Sequence, residues 1–166
     1  QLAKAIRIDR NRMNRYCRTV DPKFLEGVNR KKPRTMEELE DLWYQTQNAD
    51  GNRYTHYNSS RYRVCNLHSF FHGHHTIEFR LFQFDCPHDG KQNGMHAGQV
   101  KSFIQLCLAI NQLAKMVRTA SPKPQQTENE KYAMRCWMLR LGFIGDEFKT
   151  AREYYLNNME GNSAWR

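Results

Sequence analysis

The ten residues HTIEFRLFQF, 75–84, constrain this chain more than any other stretch. Side chains of an extended strand alternate, so Thr76, Glu78, Arg80 and Phe82 share one face while Ile77, Phe79, Leu81 and Gln83 share the other. Ile77, Phe79 and Leu81 are suited to burial, which leaves Glu78 and Arg80 together on the opposite face. The segment RYRVCNLHSFF is also β-branched and aromatic-rich, and Gly73 lies between the two in HGH, where a tight turn needs it. The pattern predicts an antiparallel hairpin of strands 61–69 and 75–84 pivoting at Gly73.

The rest of the chain reads as helices around that hairpin, so the expected fold class is α+β. Residues 2–18 carry an apolar stripe at Leu2, Ala5, Ile6 and Met13 amid arginines, and KFLEGVNR, restarted by Asp21 and Pro22, reads as a short helix. Thr35 followed by Glu38 matches a capping box at the head of RTMEELEDLWYQTQ, whose Leu39, Leu42 and Trp43 form a buried stripe. NADGNRYTHYNSS and DCPHDGKQNGM read as loops. Residues 97–118 form the longest helix, with Val100, Phe103, Ile104, Cys107, Leu108, Ile110, Leu113 and Met116 on a wide apolar face. That face is expected to pack on the hairpin through Ile77, Phe79 and Leu81. Beyond the Pro-rich TASPKPQQTENE, Met134, Trp137, Met138 and Leu141 share a helix face, Gly142 fits a helix stop, and a second helix turns Phe148, Ala151 and Tyr155 inward. The expected organisation is a main body over 1–119, a linker over 120–130 and an appended helical pair over 131–166.

A chain of 166 residues can bury roughly two thirds of its unfolded surface, enough for one real core. Its mean hydropathy of −0.88 and the shortness of its longest apolar run, FIQLCLAI, exclude a membrane-spanning helix. Five widely spaced cysteines with no CxxC pair argue against a disulfide framework and for a reducing cytoplasm. A net charge of +9 favours polyanionic partners, nucleic acid or nucleotide phosphates, without choosing between them. The chain opens on Gln1 inside a helical pattern, so a piece of a longer protein is expected.

Glu78 and Arg80 have two readings. A solvated or cross-strand ion pair is the plain one. The sharper one is a ligand site, since a carboxylate offers a hard cation an oxygen and a guanidinium matches phosphate bidentately; Arg61 and Arg63 share a face of the neighbouring strand. His68, His72, His74 and His75, with Cys65, Cys86 and His88 nearby, crowd one hairpin tip in a spacing that suits a polar turn better than a zinc cage. No phosphate loop of the GxxxxGK[ST] type and no GxSxG elbow is present. The pair 131–159 also suits a helix-turn-helix, with Lys149 and Arg152 on the recognition helix.

The run RYRVCNLHSFFHGHHTIEFRLFQFD followed by a long amphipathic helix resembles the second half of the amidoligase family, carboxylate–amine ligases related to glutamine synthetase and glutamate–cysteine ligase. The resemblance rests on a strand ending in Asn-Leu, a turn, and Thr-Ile-Glu-Phe-Arg; LRLGFIGDEFKTAR resembles the tail of a bacterial subgroup. It implies an antiparallel sheet curved around an ATP site, where ATP phosphorylates a substrate carboxylate and an amine captures the acyl phosphate. On that basis Glu78 would be a Mg²⁺ ligand and Arg80 would contact the transferring phosphate or substrate carboxylate. Arg63 and Arg15 would bind further anionic groups, with Asn66 beside the nucleotide. Crowded negative charge of this kind needs cations and arginines as a preorganised clamp. The family's G-x-E-x-E strand does not precede residue 61, so the chain should be a C-terminal part, inactive without its first half. Its uncovered sheet edges should then favour self-association. The alternatives are a basic nucleic-acid-binding module without catalysis and a purely structural interaction domain.

Overall fold

The computed structural model describes residues 2–47, 49, 51–84, 96–121, 123 and 126–164; the loop expected over 85–95, with Cys86, His88 and Gly94, lies outside the described residues. The chain is α+β, with eight α-helices and one two-stranded antiparallel sheet among the described residues. Its backbone clusters into two compact units, residues 10–81 with 121–124, and residues 1–9, 82–120 and 125–166.

The helix expected over 2–18 is two helices, α1 (Leu2–Ala5) and α2 (Arg10–Tyr16). Between them Arg7 takes a left-handed φ of 51°. Its N–H donates to the Lys4 carbonyl at 3.0 Å and that of Ile8 to the Ala3 carbonyl at 3.2 Å, a closure that satisfies the last carbonyls of a helix. Neither Gly nor Pro marks the place, so the periodicity reads straight through it.

In the unit of residues 10–81, α3 (Pro22–Lys31) starts where Asp21 accepts the Lys23 N–H at 2.9 Å and Pro22 presets the first turn. At the head of α4 (Met36–Thr46), Thr35 Oγ1 accepts the Glu38 N–H at 3.2 Å. Glu38 reaches back to the Arg34 N–H at 2.7 Å, one residue earlier than the capping box requires. The two helices meet at Gly27, where a Cβ would lie 2.7 Å from Leu42 Cδ1. Phe24, Leu42 and Trp43 form the core there, with Phe24 edge-on to Trp43 at 5.1 Å and Leu39, Leu67 and Phe71 packed around them. Burial of each of the three contributes about 2 kcal/mol.

The hairpin keeps its antiparallel sense but not its length. Only β1 (Cys65–Asn66) and β2 (Glu78–Phe79) pair, and the end of the strand expected over 61–69 instead enters helix α5 (His68–His72). The N–H groups of Phe70 and Phe71 turn back to the Leu67 carbonyl. Leu67 and Phe71 join the core one helical turn apart while the adjacent His68 also meets α4 at Tyr44, a combination that the alternating faces of a strand would forbid. Gly73 is required, though not as a hairpin pivot: it closes α5, and a Cβ there would sit 2.8 Å from the Ser69 carbonyl oxygen. Ile77, expected to be buried, is 51 % exposed; Leu81 is buried. On the other side of the first strand, Arg18 forms a one-residue parallel bridge with Arg63. It donates to the Tyr62 carbonyl and accepts from the Val64 N–H, while the Arg80 N–H donates to the Val64 carbonyl and lengthens the hairpin's hydrogen bonding.

The other unit is built on α6 (Ala97–Met116), α7 (Glu130–Arg140) and α8 (Lys149–Asn157). The buried face of α6 is Gln99, Ser102, Phe103 and Leu106, whereas Ile104 and Leu108, expected inside, are 55 % and 64 % exposed. The rotation follows from polar bonds to α8: Tyr155 Oη donates to the Ser102 carbonyl at 2.9 Å and Gln99 Nε2 donates to Tyr154 Oη at 3.0 Å. Phe82 stacks on Phe103 at 4.4 Å. Met134, Met138, Leu141, Ala151 and Tyr155 are buried as their spacing predicts, and Gly142 stops α7 at a φ of 83°. No helix among the described residues is long and apolar enough to cross a membrane.

Candidate functional site

The β1–β2 register sets Asn66 directly opposite Glu78. Asn66 Nδ2 donates to Glu78 Oε2 at 2.7 Å, and its Oδ1 accepts the His68 N–H at 2.9 Å. Arg80, two residues on, brings Nη1 to the same Glu78 oxygen at 3.4 Å. Its Nε donates to the Tyr16 carbonyl at 3.2 Å, its guanidinium lies 5.4 Å from the Tyr62 ring centroid, and its own carbonyl accepts Arg12 Nη2 at 3.3 Å. Glu78 and Arg80 therefore share a face, as the alternation predicts, and both are part-shielded. Burial raises the Glu78 carboxyl pKa, but hydrogen bonds from Asn66 and Ser69 and the charges of Arg80 and Arg61 outweigh it and hold the group below its ordinary value. The carboxylate is ionised at neutral pH.

The other sequence-predicted residues go elsewhere. Arg63 is buried, with Nη1 donating to the Thr19 carbonyl at 2.9 Å and Nη2 to that of Gln47 at 2.6 Å. Its guanidinium ties three segments of backbone together. Arg15 is exposed on α2. The histidines divide: His74 and His75 lie on the exposed turn, while His68 and His72 face α4. Tyr44 Oη and His68 Nδ1 are 2.5 Å apart, and His72 Nε2 lies 2.7 Å from Glu40 Oε1. Burial lowers the His68 pKa, so the ring in this pair is neutral at pH 7. Glu40 and Tyr44 on α4 thus face His72 and His68 on α5, each pair one helical turn apart. The four-residue spacing of the two histidines was the available signal, and the strand reading hid it.

Thiol chemistry finds no support here. Burial pushes Cys65 up to about 11 and raises Cys17, whose Sγ donates to the Arg12 carbonyl at 3.3 Å, so both are protonated at neutral pH. Nor do the described residues fit a complete metal centre: no group of three or more His, Cys, Asp or Glu side chains comes together to hold an ion. Glu78 supplies one carboxylate, already engaged by Asn66 and Arg80, where Mg²⁺ takes about six oxygens. What the arrangement offers is a fixed guanidinium beside an oriented, ionised carboxylate.

No curated protein and no solved structure matches the chain. A family model described as "Putative amidoligase enzyme" matches residues 1–111, which include all of the Asn66, Glu78 and Arg80 constellation. By that match over two thirds of its length, the chain belongs to the amidoligase family.

Proposed function

We propose that this chain supplies the anion-holding part of an ATP-dependent carboxylate–amine ligase, in which a substrate carboxylate is phosphorylated and an amine displaces the phosphate to form an amide. The observation that carries the reading is the bonding of Asn66, Glu78 and Arg80 across β1 and β2 within a chain of amidoligase type. Arg80 would hold the phosphate or the carboxylate being activated, since its Nε and ring contacts preset the guanidinium plane. Asn66 orients Glu78, which would contribute one oxygen to a Mg²⁺ ion whose remaining ligands come from beyond the described residues. The proposed resemblance is to the second half of a glutamine synthetase-like domain, inactive without the first half. Four cysteines that are free among the described residues support a cytoplasmic setting.

Calorimetric titration of the chain with Mg-ATP should give weak binding or none, because one carboxylate stands where a full site supplies several. Tight binding that is lost in Glu78→Gln would overturn the half-site part of the proposal. The second reading, a nucleic-acid-binding module, draws on the net charge of +9. Arg152, one of its two candidate contacts, donates Nη1 to the Phe143 and Gly145 carbonyls and so braces the turn before α8. Tight duplex DNA binding that falls steeply with salt would favour it over the ligase.

A further inference from the structure

Beside the close approach of α3 and α4 at Gly27 lies a groove of about 520 Å³, lined on the α3 side by Lys23, Arg30 and Lys31. Residues 23, 27, 30 and 31 fall on one helix face, so the missing side chain of Gly27 leaves a notch between the cations. Buried Gly27 and Leu42 form the floor, and Gln45 and Thr46 the α4 wall. None of the three cations belongs to an ion pair among the described residues; the Lys31 ammonium donates to Gln45 Oε1 at 3.5 Å. Glu26 is the one carboxylate among the lining residues. In the adjoining cleft Asp41 is taken by Arg53 and Glu38 by the Arg34 N–H. Helix stability accounts for Arg30 and Lys31, in the last turn of α3, where cations complement the helix dipole. It does not account for Lys23, in the first turn, where the dipole disfavours a cation.

We infer that this groove is a docking site for an acidic segment of a partner protein, bound in extended form with two carboxylates on one side. Lys23 and Lys31 stand eight residues apart on α3, about 12 Å along its axis. In an extended peptide, residues i and i+4 point the same way about 13 Å apart. Two acidic residues at that spacing meet the two ammonium groups, and residue i+2 faces the notch over Gly27 and Leu42. Arg30, beside Lys31, offers its planar fork to the second carboxylate. A nucleic-acid strand fits less well, since no aromatic ring lines the groove to stack a base and Glu26 repels a continuous phosphate backbone. The groove shares no residue with the Asn66, Glu78 and Arg80 constellation, and the inference does not rest on the ligase reading.

The test is an NMR titration of the full chain with the terminally blocked peptide Glu-Ser-Leu-Ser-Glu at low ionic strength. Amide shifts should centre on Gly27 and Thr46, and the isomer Glu-Glu-Leu-Ser-Ser, of equal charge, should bind about three-fold more weakly. Lys23→Ala and Lys31→Ala should each weaken binding about three-fold, the scale of an exposed ion pair, while Lys115→Ala, an exposed cation on α6, leaves it unchanged. Carbodiimide coupling on the unaltered chain keeps the test open if a variant fails to fold: the peptide carboxylates should join to Lys23 and Lys31 and not to Lys115. Absence of binding, equal weakening in Lys115→Ala, equal affinity for the isomer, or coupling indifferent to position would each overturn the inference. A single-stranded oligonucleotide that binds at the same amides more tightly than the peptide would overturn it in favour of a nucleic-acid strand.

Discussion

Asn66 makes two bonds of opposite polarity, donating to Glu78 and accepting from the His68 backbone, and it is 1 % exposed. Asn66→Asp separates them, because a carboxylate still accepts from His68 but now faces Glu78 as a like charge. At pH 7 that variant should lose about 2 kcal/mol, the scale of a hydrogen bond to a charged group allowing for partial exposure. The pH dependence has a definite sign. In the natural protein the Glu78 pKa lies below the unfolded value, so its contribution is full above about pH 5 and fades as pH falls through the folded value. In Asn66→Asp the two carboxyls repel and one pKa rises above its unfolded value, so stability returns on acidification. Urea unfolding midpoints should therefore converge between the two proteins toward pH 4; parallel curves would show that Asn66 does not govern the charge of Glu78.

At the scale of elements, the segment between β1 and β2 shows why glycine was legible and its role was not. A glycine in HGH is expected for any tight reversal, but only the helical course of 68–72 brings the Ser69 carbonyl beneath Gly73. Gly73→Ala sets a Cβ against backbone, which cannot swing aside, and should cost about 2 kcal/mol. Gly142→Ala meets nothing within 4 Å and strains only a φ of 83°, so about 1 kcal/mol is expected. Equal losses in thermal or urea unfolding would contradict the close approach at Gly73. Because Ser69 also reaches Thr76 Oγ1 at 3.4 Å, displacement of α5 should be felt at Glu78 as well.

For the whole molecule, self-association through sheet edges remains a proposal, and the structure narrows where it would occur. Arg18 already bonds the backbone of Tyr62 and Val64 just before β1, so among the described residues the outer side of Glu78–Phe79 is the edge proposed for a second copy. So short an edge offers few main-chain bonds, and any dimer should be weak and dissociate readily on dilution. Sedimentation across the micromolar range should show a concentration-dependent dimer; a monomer at every concentration would remove the proposal.

The sequence by itself determined the α+β class, the restart at Asp21 and Pro22, the cap at Thr35, the stop at Gly142, and the shared face of Glu78 and Arg80. Each depends on neighbours within a few residues, where side-chain alternation, capping oxygens and missing Cβ atoms act locally. Tertiary structure decided the rest. Whether Leu67–His72 ran as strand or helix depended on α4, whose core and whose Tyr44 and Glu40 select the helical spacing of Leu67, His68, Phe71 and His72. Which face of α6 was buried depended on hydrogen bonds to Tyr154 and Tyr155, some fifty residues away. And whether Arg61 or Arg63 turned inward was open to alternation alone: both share one strand face, and only the carbonyls of Thr19 and Gln47 drew Arg63 inside, leaving Arg61 against Tyr57 and Tyr62.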